Sequence, residues 1–260
     1  MMTLLHIEGL GINFGGLKAV DNVSFAAAAG QVTSVIGPNG AGKTTLFNMI
    51  SGVYTPGSGR VALDGDNVTG IHPSQLARRG LSRTFQNLQI FQDMSVLDNA
   101  LAGFHLSERG SVWGDMLSLP AARRRARDAR DGAMKLLKRV RLDDLASEVA
   151  GNLSYGQLKR LEIARALGVG PRVLLLDEPA AGCNAVETEE IDTLIAELAA
   201  SGIAVLLVEH DMKLVMRISH HVVVLDHGQM IAEGDPESVS QNPEVIKAYL
   251  GTEAVDNVAG

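Results

Sequence analysis

The chain has 260 residues, of which 46% are hydrophobic and only 4% aromatic, with a formal charge of −7 and a pI near 5.5. That length and apolar content suffice for one large α/β domain with an aliphatic core. The acidic balance argues against nucleic acid as a partner, because phosphate backbones attract net positive surfaces.

The single cysteine, Cys183, has no second thiol in the chain to pair with, which fits a reducing compartment. The opening residues show no signal-peptide pattern, and the longest apolar runs, 203–208 and 222–225, fall far short of the ~18 residues of a membrane span. A role at a membrane would therefore require docking onto something that crosses it.

In chain order, residues 4–10 and 22–26 read as short strands around the turn signals Gly15-Gly16 and Gly30. A β-rich run at 32–36 is followed by a glycine-rich loop and a helical pattern at 44–51 closed by Gly52. Residues 61–63 with Asp64-Gly65 read as a hairpin. The stretch of roughly 70–150 leans helical, notably 73–79 and 121–140. A further helix is expected at 156–167, then a continuous aliphatic strand at 173–176 of the kind buried on both faces of a parallel sheet. Helix 187–200, strands 203–208 and 222–225, a turn into 230–232 and a last helix at 243–250 complete the pattern. Strands alternating with helices indicate an α/β fold with a parallel-containing sheet.

Gly37-Pro38-Asn39-Gly40-Ala41-Gly42-Lys43-Thr44 matches the phosphate-loop pattern G-x-x-x-x-G-K-[ST] between a strand and a helix, with Thr45 next in the helix. Glycines let successive backbone N–H groups turn inward, and the helix that follows presents its positive end to the same place. Lys43 would reach the β- and γ-phosphates, and the Thr44 hydroxyl would bind Mg²⁺. The competing reading is a glycine-rich turn that happens to contain Lys-Thr; average residue frequencies place such a match in roughly one chain of this length in a hundred. The strand 173–176 ends in Asp177-Glu178-Pro179. A carboxylate at the C-terminal end of a buried strand can lie beside such a loop, where Asp177 would hold Mg²⁺ and Glu178 would polarise an attacking water as general base. Alone, these residues would also suit an acidic turn after a core strand.

Leu153-Ser154-Tyr155-Gly156-Gln157, opening a helix shortly before that strand, resembles the signature of the ABC ATPases, usually Leu-Ser-Gly-Gly-Gln. Gln86, after Arg83-Thr84-Phe85, resembles the family's Q-loop glutamine, and His210 its H-loop histidine. The resemblance implies a P-loop ABC ATPase: a mostly parallel core sheet, an N-terminal antiparallel β-subdomain, and a helical signature subdomain at roughly 87–165. The domain would occupy 1–251, with 252–260 as a tail. It also implies that two such domains sandwich ATP head to tail. Ser154, Tyr155, Gly156 and Gln157 would then face the ATP of the partner subunit, Gln86 would ligate Mg²⁺ or water, and His210 would act with Glu178. Phe14 stands where the family places an adenine-stacking aromatic, with ordinary core packing as the alternative.

Tyr155 departs from the usual glycine, and Ala180-Ala181-Gly182-Cys183-Asn184-Ala185 stands where many members have Ser-Ala-Leu-Asp. Longer stretches, including residues 14–20 and 178–182 and the tail Ala248-Tyr249-Leu250-Gly251, resemble the larger ATPase subunit of branched-chain or hydrophobic amino acid importers. That resemblance implies a second ATPase subunit, two permease subunits, a periplasmic binding protein and a place at the cytoplasmic face of the inner membrane. Two features stay outside the motif set: the basic run Arg123-Arg124-Arg125 with Arg127 and Arg130, read as a solvated helix face or a lipid-facing surface, and Trp113, a candidate permease contact or plain packing.

Overall fold

The structure is a computed structural model that describes residues 2–84, 88–106 and 119–256. The chain divides into two compact units: Met1–Arg83 with Arg172–Glu178 and Ile195–Gly260, and Thr84–Pro171 with Pro179–Leu194. The second unit thus takes in 179–194 as well as the stretch expected to form the helical subdomain.

The first unit holds both sheets. Strands β1 (Thr3–Phe14), β2 (Leu17–Ala28), β4 (Ser58–Leu63) and β5 (Asp66–Asn67) form an antiparallel sheet in the order β2-β1-β4-β5. β1 and β2 are longer than the short strands expected, because Gly15 and Gly16 both take positive φ (53° and 95°) and close a two-residue turn that pairs Phe14 with Leu17.

The second sheet has the order β10-β9-β3-β8-β7-β6. Its strands β3 (Val32–Ile36), β6 (Leu81–Arg83), β7 (Val173–Asp177), β8 (Ala204–Val208) and β9 (His221–Asp226) are parallel, and β10 (Gln229–Gly234) is an antiparallel edge. Every residue of β3, β7 and β8 is buried, which is why the aliphatic runs were legible as strands. One apolar cluster joins the two sheets and helix α1 (Lys43–Ile50) through Leu5, Leu10, Phe47, Val35, Leu175 and Leu206.

Helix α2 (Pro73–Arg78) lies before β6. The strand β6 corrects the helical reading of that stretch: three residues pair in parallel with β7, Arg83 opposite Leu175. In the second unit, α3 (Val96–Ala102) packs on both α4 (Leu119–Arg139) and α5 (Tyr155–Leu167). Ala133 and Leu137 of α4, and Val140 just past its end, are fully buried, whereas the arginines at 123–125, 127 and 130 are exposed, as a solvated face requires. Trp113 lies outside the described residues.

The division between the units falls within helix α6 (Ala185–Ala200). Helix α7 (Met212–Ile218) escaped the sequence reading; Asp211 caps it by accepting from Lys213 N and Leu214 N. After α8 (Pro236–Ser240), the last helix α9 (Pro243–Asp256) runs past residue 251. Its Tyr249 packs against the cluster containing Ile36, Val222 and Val224.

At the end of β6, Arg83 is buried with Asp177 of β7: Nη2 donates to Asp177 Oδ2 at 2.8 Å, and the two side chains are 6% and 2% exposed. Its Nη1 donates to Asn48 Oδ1 at 2.7 Å and Ser51 Oγ at 2.8 Å, and the guanidinium lies 5.7 Å from the Phe47 ring centre. One cation therefore ties two strands to α1. Removing one partner of a buried ion pair strands the other charge, so Arg83→Met is expected to lower stability by on the order of 3 kcal/mol in denaturant unfolding.

Candidate nucleotide site

Strand β3 delivers the chain to Gly37, and α1 begins at Lys43 with Gly42 as its N-cap. Gly37 and Gly42 take φ of +149° and +100°, and a Cβ at either would collide with a carbonyl oxygen, of Leu225 and Ala19 respectively. Only glycine fits these two positions. A Cβ at Gly40 would meet no atom within 4 Å, so the loop is open on that side. Ala41 is buried, Pro38 and Thr45 are partly buried, and Asn39, Gly40 and Thr44 are exposed. No acidic residue lies in the first turn of α1, so no carboxylate of that turn competes for its positive end.

Lys43 folds back over this loop, with Nζ donating to Gly37 O at 2.7 Å and Pro38 O at 3.0 Å. Burial pushes its ammonium below the usual lysine range, and the carboxylates of Glu178 and then Asp177 oppose that shift. A cation held by two neutral carbonyls in a partly buried loop is underneutralised, which suits it to an anionic ligand.

Glu178 follows β7 with φ of +48°, an unusual conformation for a non-glycine residue, and its N–H donates to Val208 O at 2.9 Å. This turn sends the Glu178 carboxylate toward β8's C-terminal end, where Oε1 stands 3.8 Å from His210 Nδ1. His210 is 62% exposed, so it is not an internally satisfied core histidine. The preceding Glu209 is buried, accepts from His210 N at 3.3 Å and lies 3.9 Å from His210 Nδ1. Phe14 is 46% exposed and meets Tyr54 edge to face at 5.6 Å, which rules out the core-packing alternative.

In the second unit, Ser154 is the N-cap of α5. Its Oγ accepts from Gln157 N at 3.3 Å while Gln157 Oε1 accepts from Ser154 N at 2.8 Å, a reciprocal capping box. Gln157 is thus occupied in holding the turn. Tyr155 is 42% exposed, with the Lys159 ammonium 5.8 Å over its ring. The Gly156 N–H and the Ser154 hydroxyl both point at one oxygen of Glu187. Gln86 lies outside the described residues.

Sequence reasoning missed three contributors. Arg83 was seen only as a neighbour of Gln86; its partner Asp177 is 94 positions away. Glu209 carried no motif. Glu187 left one signal, the spacing Asn184-x-x-Glu187, which is a capping box at the start of α6.

Within the first unit the loop, Lys43, Asp177, Glu178 and His210 offer anion-binding amides, a cation, hard oxygen donors and a candidate base with an imidazole beside it. Among the described residues there is no group of three or more His, Cys, Asp or Glu that could cage a metal ion alone. The donor set of Thr44 and Asp177 suits Mg²⁺, which is commonly held by one or two carboxylates together with substrate phosphates.

Comparison with known proteins identifies the family and the fold. The model of the ABC transporter family matches residues 20–181, and that of the branched-chain amino acid ATP-binding cassette transporter matches 229–255. The high-affinity branched-chain amino acid transport ATP-binding protein BraF of Pseudomonas aeruginosa is 47% identical over 249 residues, covering 95% of this chain and 98% of its own. LivG of Escherichia coli K12, described in the same words, is 45% identical with the same coverage. The solved ADP conformation of an ATP-binding cassette from an ABC transporter superposes with a TM-score of 0.84 at 34% identity, covering 96% of this chain and all of that one (100%). A nucleotide-free ATP-binding cassette gives 0.84 at 35% identity, covering 95% and 99%. The chain belongs to the ABC transporter family, as an ATP-binding cassette of α/β P-loop fold.

Proposed function

We propose that this chain is the ATP-hydrolysing subunit of an importer for branched-chain amino acids. The observation that carries the ATPase part is the meeting of Lys43, Asp177, Glu178 and His210 around a glycine loop that admits no side chain at Gly37 or Gly42. The cargo part is supported by the relatives named above and by the match at 229–255.

In this reading the amides of residues 40–45 and the Lys43 ammonium cradle the phosphates, and Phe14 stacks on the adenine. Thr44 and Asp177, with Gln86, would hold Mg²⁺, which when bound offsets the charge on the phosphates. Arg83 keeps the buried Asp177 carboxylate aimed. Glu178 takes the proton from the attacking water, and His210, beside its carboxylate, orients that water and the γ-phosphate. Ser154 and the Gly156 amide, at the start of α5, complete the site of a partner subunit, with Tyr155 and Gln157 flanking them. Half of each site then comes from another chain, so an isolated subunit hydrolyses slowly.

The remaining parts would be a second ATPase subunit, two permease subunits and a periplasmic binding protein that selects the cargo. No helix among the described residues is long and apolar enough to cross a membrane, so attachment at the cytoplasmic face would run through the permeases. The chain's formal charge of −7 disfavours nucleic acid as an alternative partner.

Lys43→Ala is expected to weaken ATP binding by about 10–100-fold, the worth of a charge-assisted contact, in equilibrium binding with a fluorescent ATP analogue. Glu178→Gln is expected to keep ATP affinity while phosphate release falls by roughly 10²–10⁴-fold; wild-type turnover in this variant would place the base elsewhere. For the cargo, cells lacking the gene should regain uptake of labelled leucine with the wild type but not with Glu178→Gln. Equal uptake in all strains would remove the branched-chain assignment.

A further inference from the structure

The carboxylate of Glu187 sits on both donors that open α5. Ser154 Oγ donates to Glu187 Oε1 at 2.8 Å, and Gly156 N donates to the same oxygen at 3.2 Å. The other oxygen, Oε2, accepts from Asn184 N at 3.2 Å, while Asn184 Oδ1 accepts from Val186 N and Glu187 N, both at 3.0 Å. One side chain therefore caps its own helix α6 with one oxygen and occupies the start of α5 with the other.

We propose that Glu187 is an internal anion that stands on the signature donors where the partner subunit's γ-phosphate binds, and must release them before that ATP is engaged. The inference rests on the signature reading given above and concerns how that same site is controlled.

The donors are limited. The Ser154 hydroxyl has one proton and the Gly156 amide another, and both are directed at Glu187 Oε1. A phosphate oxygen that takes them must displace the carboxylate or share them with it, and two anions on one donor pair repel. Crowding points the same way: a Cβ built on Gly156 would lie 2.6 Å from Glu187 Cδ, so the carboxyl group is pressed against the backbone that a phosphate would have to approach.

The release has a defined course. Oε2 can keep the Asn184 amide, and with it the α6 cap, while Oε1 swings off Ser154 and Gly156. The Ser154 hydroxyl, then the Asn184 and Gly156 amides and the nearby Arg160, hold this carboxyl below the usual glutamate range, so it remains an anion throughout the neutral range and protonation does not clear the site. ATP must therefore compete with it, and Glu187 sets the ATP concentration at which the paired site fills.

The test is steady-state ATP hydrolysis, titrated with Mg·ATP, by the full chain assembled with its second ATPase subunit and the permeases, with this chain as the wild type, Glu187→Gln or Ser154→Ala. Glutamine keeps an oxygen for the Asn184 amide, so the α6 cap survives and the thermal midpoint should stay close to that of the wild type. The expected result is that Glu187→Gln lowers KM for ATP by roughly fivefold or more with a smaller change in kcat, whereas Ser154→Ala raises KM. A Glu187→Gln KM that is unchanged or raised beside an active Ser154→Ala effect overturns the proposal and leaves the signature reading standing. No effect of Ser154→Ala on either constant overturns the signature reading itself. Should the glutamine variant fail to fold, Glu187→Asp, which withdraws the carboxylate by one methylene, is expected to lower KM in the same direction; an unchanged KM there overturns the proposal equally.

Discussion

A buried carboxylate must be compensated or the strand that carries it cannot stay where it is. Asp177 is 2% exposed at the end of a strand whose every residue is buried, and taking such a charge out of water costs several kcal/mol unless a partner comes with it. Arg83 is that partner, and its rigid fork does more than neutralise. While one nitrogen holds Asp177, the other holds Asn48 on α1 and Ser51, the residue that caps its C-terminus. The helix that follows the phosphate loop and the strand that ends in Asp177-Glu178 are thereby fixed through one guanidinium. The spacing between the loop's lysine and the two carboxylates depends on this pairing.

The same need for compensation recurs at Lys43 and Glu178. Lys43 is buried against two carbonyl oxygens, its charge only partly offset by the carboxylates, so the loop is left with a standing preference for anions. Glu178 sits in a left-handed turn in which its backbone N–H donates a hydrogen bond to Val208 O. Such a conformation costs of order 1–3 kcal/mol and persists only where its surroundings enforce it. Here the return is direction: the turn lets Asp177 point into the unit with Arg83 while the next side chain points out toward His210.

The features legible in the sequence are those whose cause is local. The phosphate loop is eight consecutive residues, and two of its glycines, Gly37 and Gly42, announce backbone positions that no side chain can enter. The strand β8 and β7 up to Leu176 are aliphatic because both faces are covered, and β3, which carries Thr33 and Ser34 at its centre, is buried at every residue too. What stayed hidden depends on distant partners. The strand β6 is three residues long and owes its conformation to pairing with β7, about ninety positions later, so no periodicity could separate it from the helical residues around it. Arg83 reads as one more arginine until Asp177 stands beside it. Phe14 could not be sorted between core and surface from spacing alone; the two-glycine turn that carries it to the rim of the first unit decides the matter.

The departure at Asn184 gains a physical reason from Glu187. Asn184 caps α6 through its side-chain oxygen and, through its amide, anchors Glu187 Oε2. An aspartate would cap the helix equally well, but it would place a second negative charge in the same box as a carboxylate already drawn toward Ser154 and Gly156. Like charges at that separation destabilise each other and would drive one of them off or toward protonation. A neutral cap leaves Glu187 as the carboxylate in the first turns of α5 and α6, and so lets one side chain answer to two helices at once. The donors at Ser154 and Gly156 thus hold one carboxylate oxygen, which a second anion would have to displace or share them with.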